Sequence, residues 1–200
     1  FEIPYGTISR PAIDKEYPAL KWADLSNDDY GVAILNDSKY GHKINGNRME
    51  LNLIRSGWMP DPKSDVGVHK FKYSIYPHKG NWKDANVTKE GYLFNNSILY
   101  EFADSEAKSI ESMISIDKQD NVMISALKQA GNQKGICVRL FEYTGCDAKV
   151  CLKTDRRIKA AYITNLLEQR MENQDISVDG NIIKISLKSF EIATINIEYQ

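Results

Sequence analysis

Strict alternation of apolar and polar residues is the feature that most restricts this chain. Successive side chains of an extended strand point to opposite faces, so a period of two marks a strand with one face buried and the other in water. In residues 48–54, Met49, Leu51 and Leu53 alternate with Arg48, Glu50 and Asn52. Residues 69–76 repeat the pattern, which assigns Phe71, Tyr73 and Ile75 to one face and Lys70, Lys72 and Ser74 to the other. Residues 31–36 form a shorter apolar run that ends in the polar turn Asp37-Ser-Lys-Tyr-Gly41. Residues 121–127, 135–143, 148–153, 182–187 and 193–199 alternate as well, and turn-forming strings separate them at the spacing of a β-sandwich. Val178-Asp-Gly-Asn181 is the best hairpin turn among these. Helical periodicity is scarce. Trp82, Ala85, Lys89 and Tyr92 fall three or four apart around Gly91, and residues 163–171 have room for two turns. Residues 101–109 carry Asp104, Glu106 and Lys108 without apolar periodicity, which marks a boundary between an N-terminal β unit and a C-terminal β-sandwich.

Composition narrows the partners. Lys and Arg total 26 against 27 for Asp and Glu, with no run of like charge, so neither a nucleic-acid face nor a polybasic membrane patch is expected. No apolar stretch approaches the roughly 20 residues of a membrane helix, and no basic-then-apolar leader is present. The expectation is a cytoplasmic protein. Cys137, Cys146 and Cys151 are odd in number and lack metal-ligand spacing, as expected of reduced structural thiols. Two sequons, at Asn86 and Asn95, read as chance matches in such a compartment. The chain opens on Phe1 and runs directly into a structured-looking string, as a piece of a longer protein would.

No P-loop, GxGxxG, GxSxG or HExxH motif occurs, and His42, His69 and His78 are too dispersed to suggest a zinc site. No catalytic or metal-ligating residue is therefore assigned. The densest polar segment is residues 55–69, between two strand patterns. Loops this long inside compact domains are often functional. Pro60 and Pro62 stiffen it, Gly57 and Gly67 give it backbone freedom, Trp58 offers an aromatic platform, and Asp61, Asp65 and His69 supply groups that bind sugar hydroxyls. The same residues are compatible with a structural loop that packs Trp58 on its own sheet.

This loop, with Pro4-Tyr-Gly6, Lys21-Trp-Ala-Asp-Leu-Ser26, the string Leu35-Asn-Asp-Ser-Lys-Tyr-Gly41 and Phe71-Lys-Tyr-Ser-Ile-Tyr-Pro-His78, resembles the C-terminal region of glycoside hydrolase family 38 α-mannosidases. The likeness is to microbial and yeast-type members and extends to Ser189-Phe-Glu-Ile-Ala-Thr194. It implies an all-β chain, with residues 1–105 completing a large sandwich and residues 106–200 forming a smaller terminal one. It also implies a retaining glycosidase whose N-terminal barrel carries an Asp nucleophile and a zinc, neither of them in this chain. The expected partners are that catalytic domain and α-mannosides, with a homo-oligomer possible. Arg55, Asp65, Gly67 and His69 are the substrate-binding residues that the resemblance suggests; relatives often have Arg before the Gly where this chain has Val66. The alternatives are a stand-alone carbohydrate-binding module that uses Trp58 and Trp82 as platforms, and an interaction module that dimerises through an exposed sheet.

Overall fold

A computed structural model describes residues 1–102, 112–117, 120–172 and 175–200. The described residues form sixteen strands and one helix, an all-β architecture. They divide into two compact units, Phe1–Tyr100 and Glu101–Gln200. The division expected between residues 105 and 106 lies outside the described residues.

The N-terminal unit contains three small sheets. β1 (Glu2–Ile3) and β2 (Gly6–Thr7) form a ribbon; β3 (Glu16–Pro18), β6 (Gly41–Asn45) and β7 (Arg48–Asn52) form a second sheet. The third consists of β4 (Trp22–Ser26), β5 (Tyr30–Asn36) and β8 (Tyr73–Lys79), with β5 in the centre. Directly opposed residues share a face. One face of this sheet carries Trp22, Ala33, Leu35 and Tyr76, packed under α1 (Val87–Asn95) through Val87, Phe94 and the preceding Trp82. Gly91, which looks like an interruption of the helical stripe, is what brings the helix close: a Cβ there would lie 2.9 Å from Cδ1 of Trp22.

The expected faces of the 69–76 segment are exchanged. The strand begins at Tyr73, and its inward residues are the half-buried Ser74 and Tyr76 and the buried His78. Tyr73 and Ile75 remain 55% and 65% exposed. The α1 side covers the first set, whereas Ile75 pairs with Ile34 on the opposite face, which is only partly covered. On that face Leu25, Tyr30, Val32, Ile34, Met49 and Ile75 line an open concavity of about 610 Å³.

The C-terminal unit is a sandwich. One sheet has the order β10 (Val122–Gln129), β11 (Ile136–Glu142), β16 (Ile192–Tyr199), β13 (Ile158–Thr164). The other has β14 (Ile176–Asp179), β15 (Ile182–Leu187), β12 (Ala148–Thr154) and β9 (Ile114–Asp117). Val138, Leu140, Ile195 and Ile197 of the first meet Val150, Leu152, Ile183 and Leu187 of the second in one core. The β14–β15 hairpin turns at Gly180, whose φ of +63° suits glycine. The two helical turns expected over residues 163–171 do not form, because Ile163 is paired with Ile195 in β16. Beyond the strand, Asn165 Oδ1 accepts the Leu167 and Gln169 N–H groups and folds the segment into a turn.

Glu142 is wholly buried in this unit. Its carboxylate accepts the N–H groups of Thr144, Gly145 and Phe190, the Thr144 hydroxyl and the Asn121 amide. It thereby ties the turn after β11 to the turn before β16. Burial pushes its pKa up, but the hydrogen bonds from Phe190, Thr144 and Gly145 outweigh that and hold it below the ordinary carboxylate value.

Two outcomes follow from this packing. Leu152→Ala should cost about 2–5 kcal/mol in urea unfolding, whereas Ile75→Ala on the open face should cost about 0.5 kcal/mol in the same chain. Glu142→Gln should lose about 1–3 kcal/mol at pH 7, because an amide cannot accept all of those donors. A depressed folded pKa stabilises fully above the unfolded value and ceases to do so as pH falls through the folded one. The gap between variant and wild type should therefore close as urea midpoints are followed from pH 7 towards pH 3.

Candidate functional site

The segment between β7 and β8 is anchored at its far end. Lys72 N–H donates to Asp37 Oδ1 at 2.9 Å, and Asp37 N–H donates to the Lys72 carbonyl at 3.1 Å. The Lys72 hydrogen bond keeps the Asp37 carboxyl below its usual pKa. Within the loop, Asp61 Oδ1 accepts the Lys63 N–H, and the Asp61 and Lys63 carbonyls accept the N–H groups of Ser64 and Val66. Ser64 Oγ then donates to the Gly57 carbonyl at 2.8 Å, drawing the two arms of the loop together. Ser64 is the one half-buried residue of positions 53–70.

All four expected residues are on this loop, in different situations. The side chains of Arg55 and Asp65 are exposed, with no hydrogen bond or ion pair among the described residues. His69 donates through Nε2 to the Asp65 carbonyl at 2.7 Å, so its ring braces the loop. Asp65 has φ +63° and Gly67 φ +154°. Asp tolerates the first of these; the second is essentially confined to glycine. A Cβ at Gly67 would meet nothing within 4 Å, so backbone conformation and not space requires glycine there. Trp58, Met59, Val66 and Val68 are 77%, 79%, 75% and 91% exposed, so Trp58 does not pack on its own sheet. Of the two carboxylates on the loop, Asp61 takes part in the turn through the Lys63 N–H, whereas the Asp65 side chain has no such partner among the described residues.

The other two histidines are buried in the N-terminal unit. His42 faces Asn36 at 3.3 Å, and burial pushes its pKa down to about 4, so the ring is neutral near pH 7. His78 Nε2 donates to Asp24 Oδ2 at 2.7 Å, and the other oxygen of Asp24 accepts the Ser26 hydroxyl. This pair escapes sequence reasoning because its members lie 54 positions apart and meet only through the β4–β5–β8 pairing. Its one trace in the sequence is the alternation of Trp22, Asp24 and Ser26. Among the described residues no three His, Cys, Asp or Glu side chains converge as a metal site. The amide nitrogen of Asn95, one of the two sequon asparagines, donates to the Asn36 and Gly91 carbonyls.

Comparison with known proteins places this geometry. Residues 1–63 match the glycosyl hydrolases family 38 C-terminal domain, and residues 121–195 match the family 38 C-terminal beta sandwich domain. The chain belongs to the C-terminal region of glycoside hydrolase family 38. Among relatives of this family 38 chain, Alpha-mannosidase G of Dictyostelium discoideum is 38% identical over 159 residues, covering 72% of this chain and 14% of that protein. Mouse Alpha-mannosidase 2C1 is 30% identical across 100% of this chain and 20% of its own length. An Alpha-mannosidase of Saccharomyces cerevisiae is 32% identical over 90% of this chain and 18% of its own length. The chain thus spans a fifth or less of these relatives. The solved α-mannosidase of Enterococcus faecalis V583 shares the fold, with TM-score 0.76 at 16% identity over 98% of this chain and 23% of that one.

The strained glycine gives a test of the loop geometry. Gly67→Ala should lose about 1–3 kcal/mol of local order, seen as faster amide exchange within residues 61–69, while the circular dichroism of the chain is unchanged.

Proposed function

We propose that this chain is the non-catalytic C-terminal part of an α-mannosidase that hydrolyses terminal α-mannosyl residues with retention. The observation that carries the reading is similarity along the whole chain to proteins named as alpha-mannosidases, of which it spans a fifth or less. Its part in such an enzyme is to support the catalytic barrel and to lend a loop to the substrate pocket. Two features of the N-terminal unit favour this division of labour. The open apolar face of the β4–β5–β8 sheet offers Tyr30, Tyr73 and Ile75 for burial against another part of the protein. The 55–69 loop holds out Arg55 and Asp65 from a hydrogen-bonded base. The zinc and the two carboxyl groups of retaining hydrolysis, about 5 Å apart across the sugar, belong on this reading to the catalytic part.

Such a loop orients substrate hydroxyls and does no bond breaking, so losing one of its contacts should weaken positioning. Asp65→Asn keeps the side-chain shape and the tolerance of a positive φ while removing the charge. In the complete enzyme, Asp65→Asn and Arg55→Ala should each lower kcat/KM about ten- to a hundredfold with the melting temperature unchanged. Wild-type kcat/KM in both variants would make the loop purely structural. His69→Ala should lower kcat/KM as well, with faster amide exchange at Asp65 through Gly67, because that ring holds the loop backbone.

A further inference from the structure

The outer face of the β10–β11–β16–β13 sheet is bridged by its own two edges. Val138 and Ile195 point into the core, so their neighbours Cys137 and Asn196 lie on the opposite face, directly opposed across β11 and β16. The row they belong to runs from Lys128 in β10 to Tyr162 in β13. The outer face of such a sheet ordinarily meets water, yet Cys137 is 1% and Asn196 3% exposed. The edge strands lie three strand spacings, roughly 14 Å, apart. Polar links nevertheless cross from one to the other. Lys128 Nζ donates to Glu168 Oε1, the Gly131 N–H donates to Glu168 Oε2 at 2.6 Å, and the Asn132 amide donates to the Tyr162 hydroxyl at 3.4 Å. Lys128, Gly131 and Asn132 belong to β10 and the loop after it, Tyr162 and Glu168 to β13 and the turn after it. That turn is shaped on its own side: Asn165 binds Leu167 and Gln169, and Arg170 lies 5.2 Å over the Tyr162 ring.

We infer that this bridge is a gate over Cys137, one that opens while both sheets of the sandwich stay paired. What closes it is polar. Glu168 is the buckle, because its carboxylate takes the Lys128 and Gly131 links and both come from the far edge. The turn that carries it has no apolar anchor at its tip, where Leu166 and Leu167 are 67% and 78% exposed. Glu168 also sits at φ +64°, a left-handed conformation that a residue with a β-carbon holds at a cost. Few buried apolar contacts and water-accessible polar bonds are the marks of a segment that opens at a lower free energy than global unfolding. The closed gate suppresses the thiol chemically as well as sterically. Burial and the Glu168 charge push the Cys137 pKa up, against the smaller opposing pull of Lys128 and Arg139. On the strand beside it, Asn196 Oδ1 is buried with no donor among the described residues, an acceptor that opening would hydrate. Opening therefore delivers a thiol that is both uncovered and more readily ionised.

The test is alkylation of the native chain by iodoacetamide, followed by peptide mass spectrometry at each cysteine. The thiolate sulfur attacks the iodoacetamide carbon, a C–S bond replaces the C–I bond, iodide leaves and the thiol proton passes to the buffer. The exposed Cys146 is the reference in the same molecule. In the wild type Cys137 should react about a hundredfold more slowly than Cys146. Glu168→Gln removes the charge from the buckle and should speed Cys137 about tenfold, with the Cys146 rate and the circular dichroism unchanged. Lys128→Met, at a half-exposed strand residue, tests the same link from the other edge and decides the matter if the first variant does not fold. Leu152→Ala, which weakens the core between the sheets, separates local from global opening and should leave the Cys137 rate as in wild type. The inference is overturned if wild-type Cys137 reacts as fast as Cys146, if Glu168→Gln and Lys128→Met both leave its rate unchanged, or if Leu152→Ala speeds it by the factor by which that variant raises the unfolded population. The last result would mean that Cys137 is reached only through unfolding of the whole sandwich.

Discussion

The hydrogen bond from His78 to Asp24 depends on an empty position between them. Ser26, Gly31 and His78 form one row across β4, β5 and β8, and Asp24 lies in the neighbouring row with Ala33 and Tyr76. To reach Asp24 the imidazole must cross β5, and a Cβ on Gly31 would sit 2.2 Å from its Cε1 and 2.4 Å from the Ser26 Cβ. Glycine therefore permits the contact, and the contact in turn satisfies a carboxylate and a ring nitrogen that would otherwise be buried at a cost of several kcal/mol. The same register turns Tyr76 towards the α1 side and Ile75 away from it. The covered face and the open face of this sheet are thus two consequences of one pairing.

The C-terminal unit solves a similar problem with the opposite chemistry. Among the described residues Glu142 makes no ion pair; five donors from the adjoining turns and Asn121 replace water around its carboxylate. Three of those donors are backbone N–H groups, which makes the carboxylate a fastener between turns distant in sequence. Between the two sheets beneath it, Leu140, Leu152, Ile183 and Ile195 pack in one buried cluster. Strand pairing orders the sheets, while turns that need polar partners receive them from a single buried side chain.

The N-terminal unit shows the same contrast between bonds made locally and bonds made across the fold. The 55–69 loop lies outside every sheet and owes its shape to short-range bonds: Ser64 to Gly57, His69 to Asp65, Lys63 to Asp61. Its Trp58, Met59 and Val68 stay exposed.

Local pattern was enough to read the all-β class, the Gly180 hairpin and the location of the exposed loop. Each of these depends on periodicity two or on turn chemistry, which neighbouring residues decide among themselves. The faces of β8 were not legible in this way. Tyr73 and Ile75 have the alternation of a buried set, yet the register with β5 and the position of α1 gave burial to Ser74, Tyr76 and His78. The 163–171 segment likewise had room for helical turns, but Ile163 and Thr164 end β13 in pairing with β16 and the residues beyond fold into a turn on Asn165. Gly91 looked like a helix breaker and proved to be the point of closest approach to Trp22. Sequence determined which segments are extended, because alternation is local; tertiary structure decided which side of each segment is inside, because burial is a property of what packs against it.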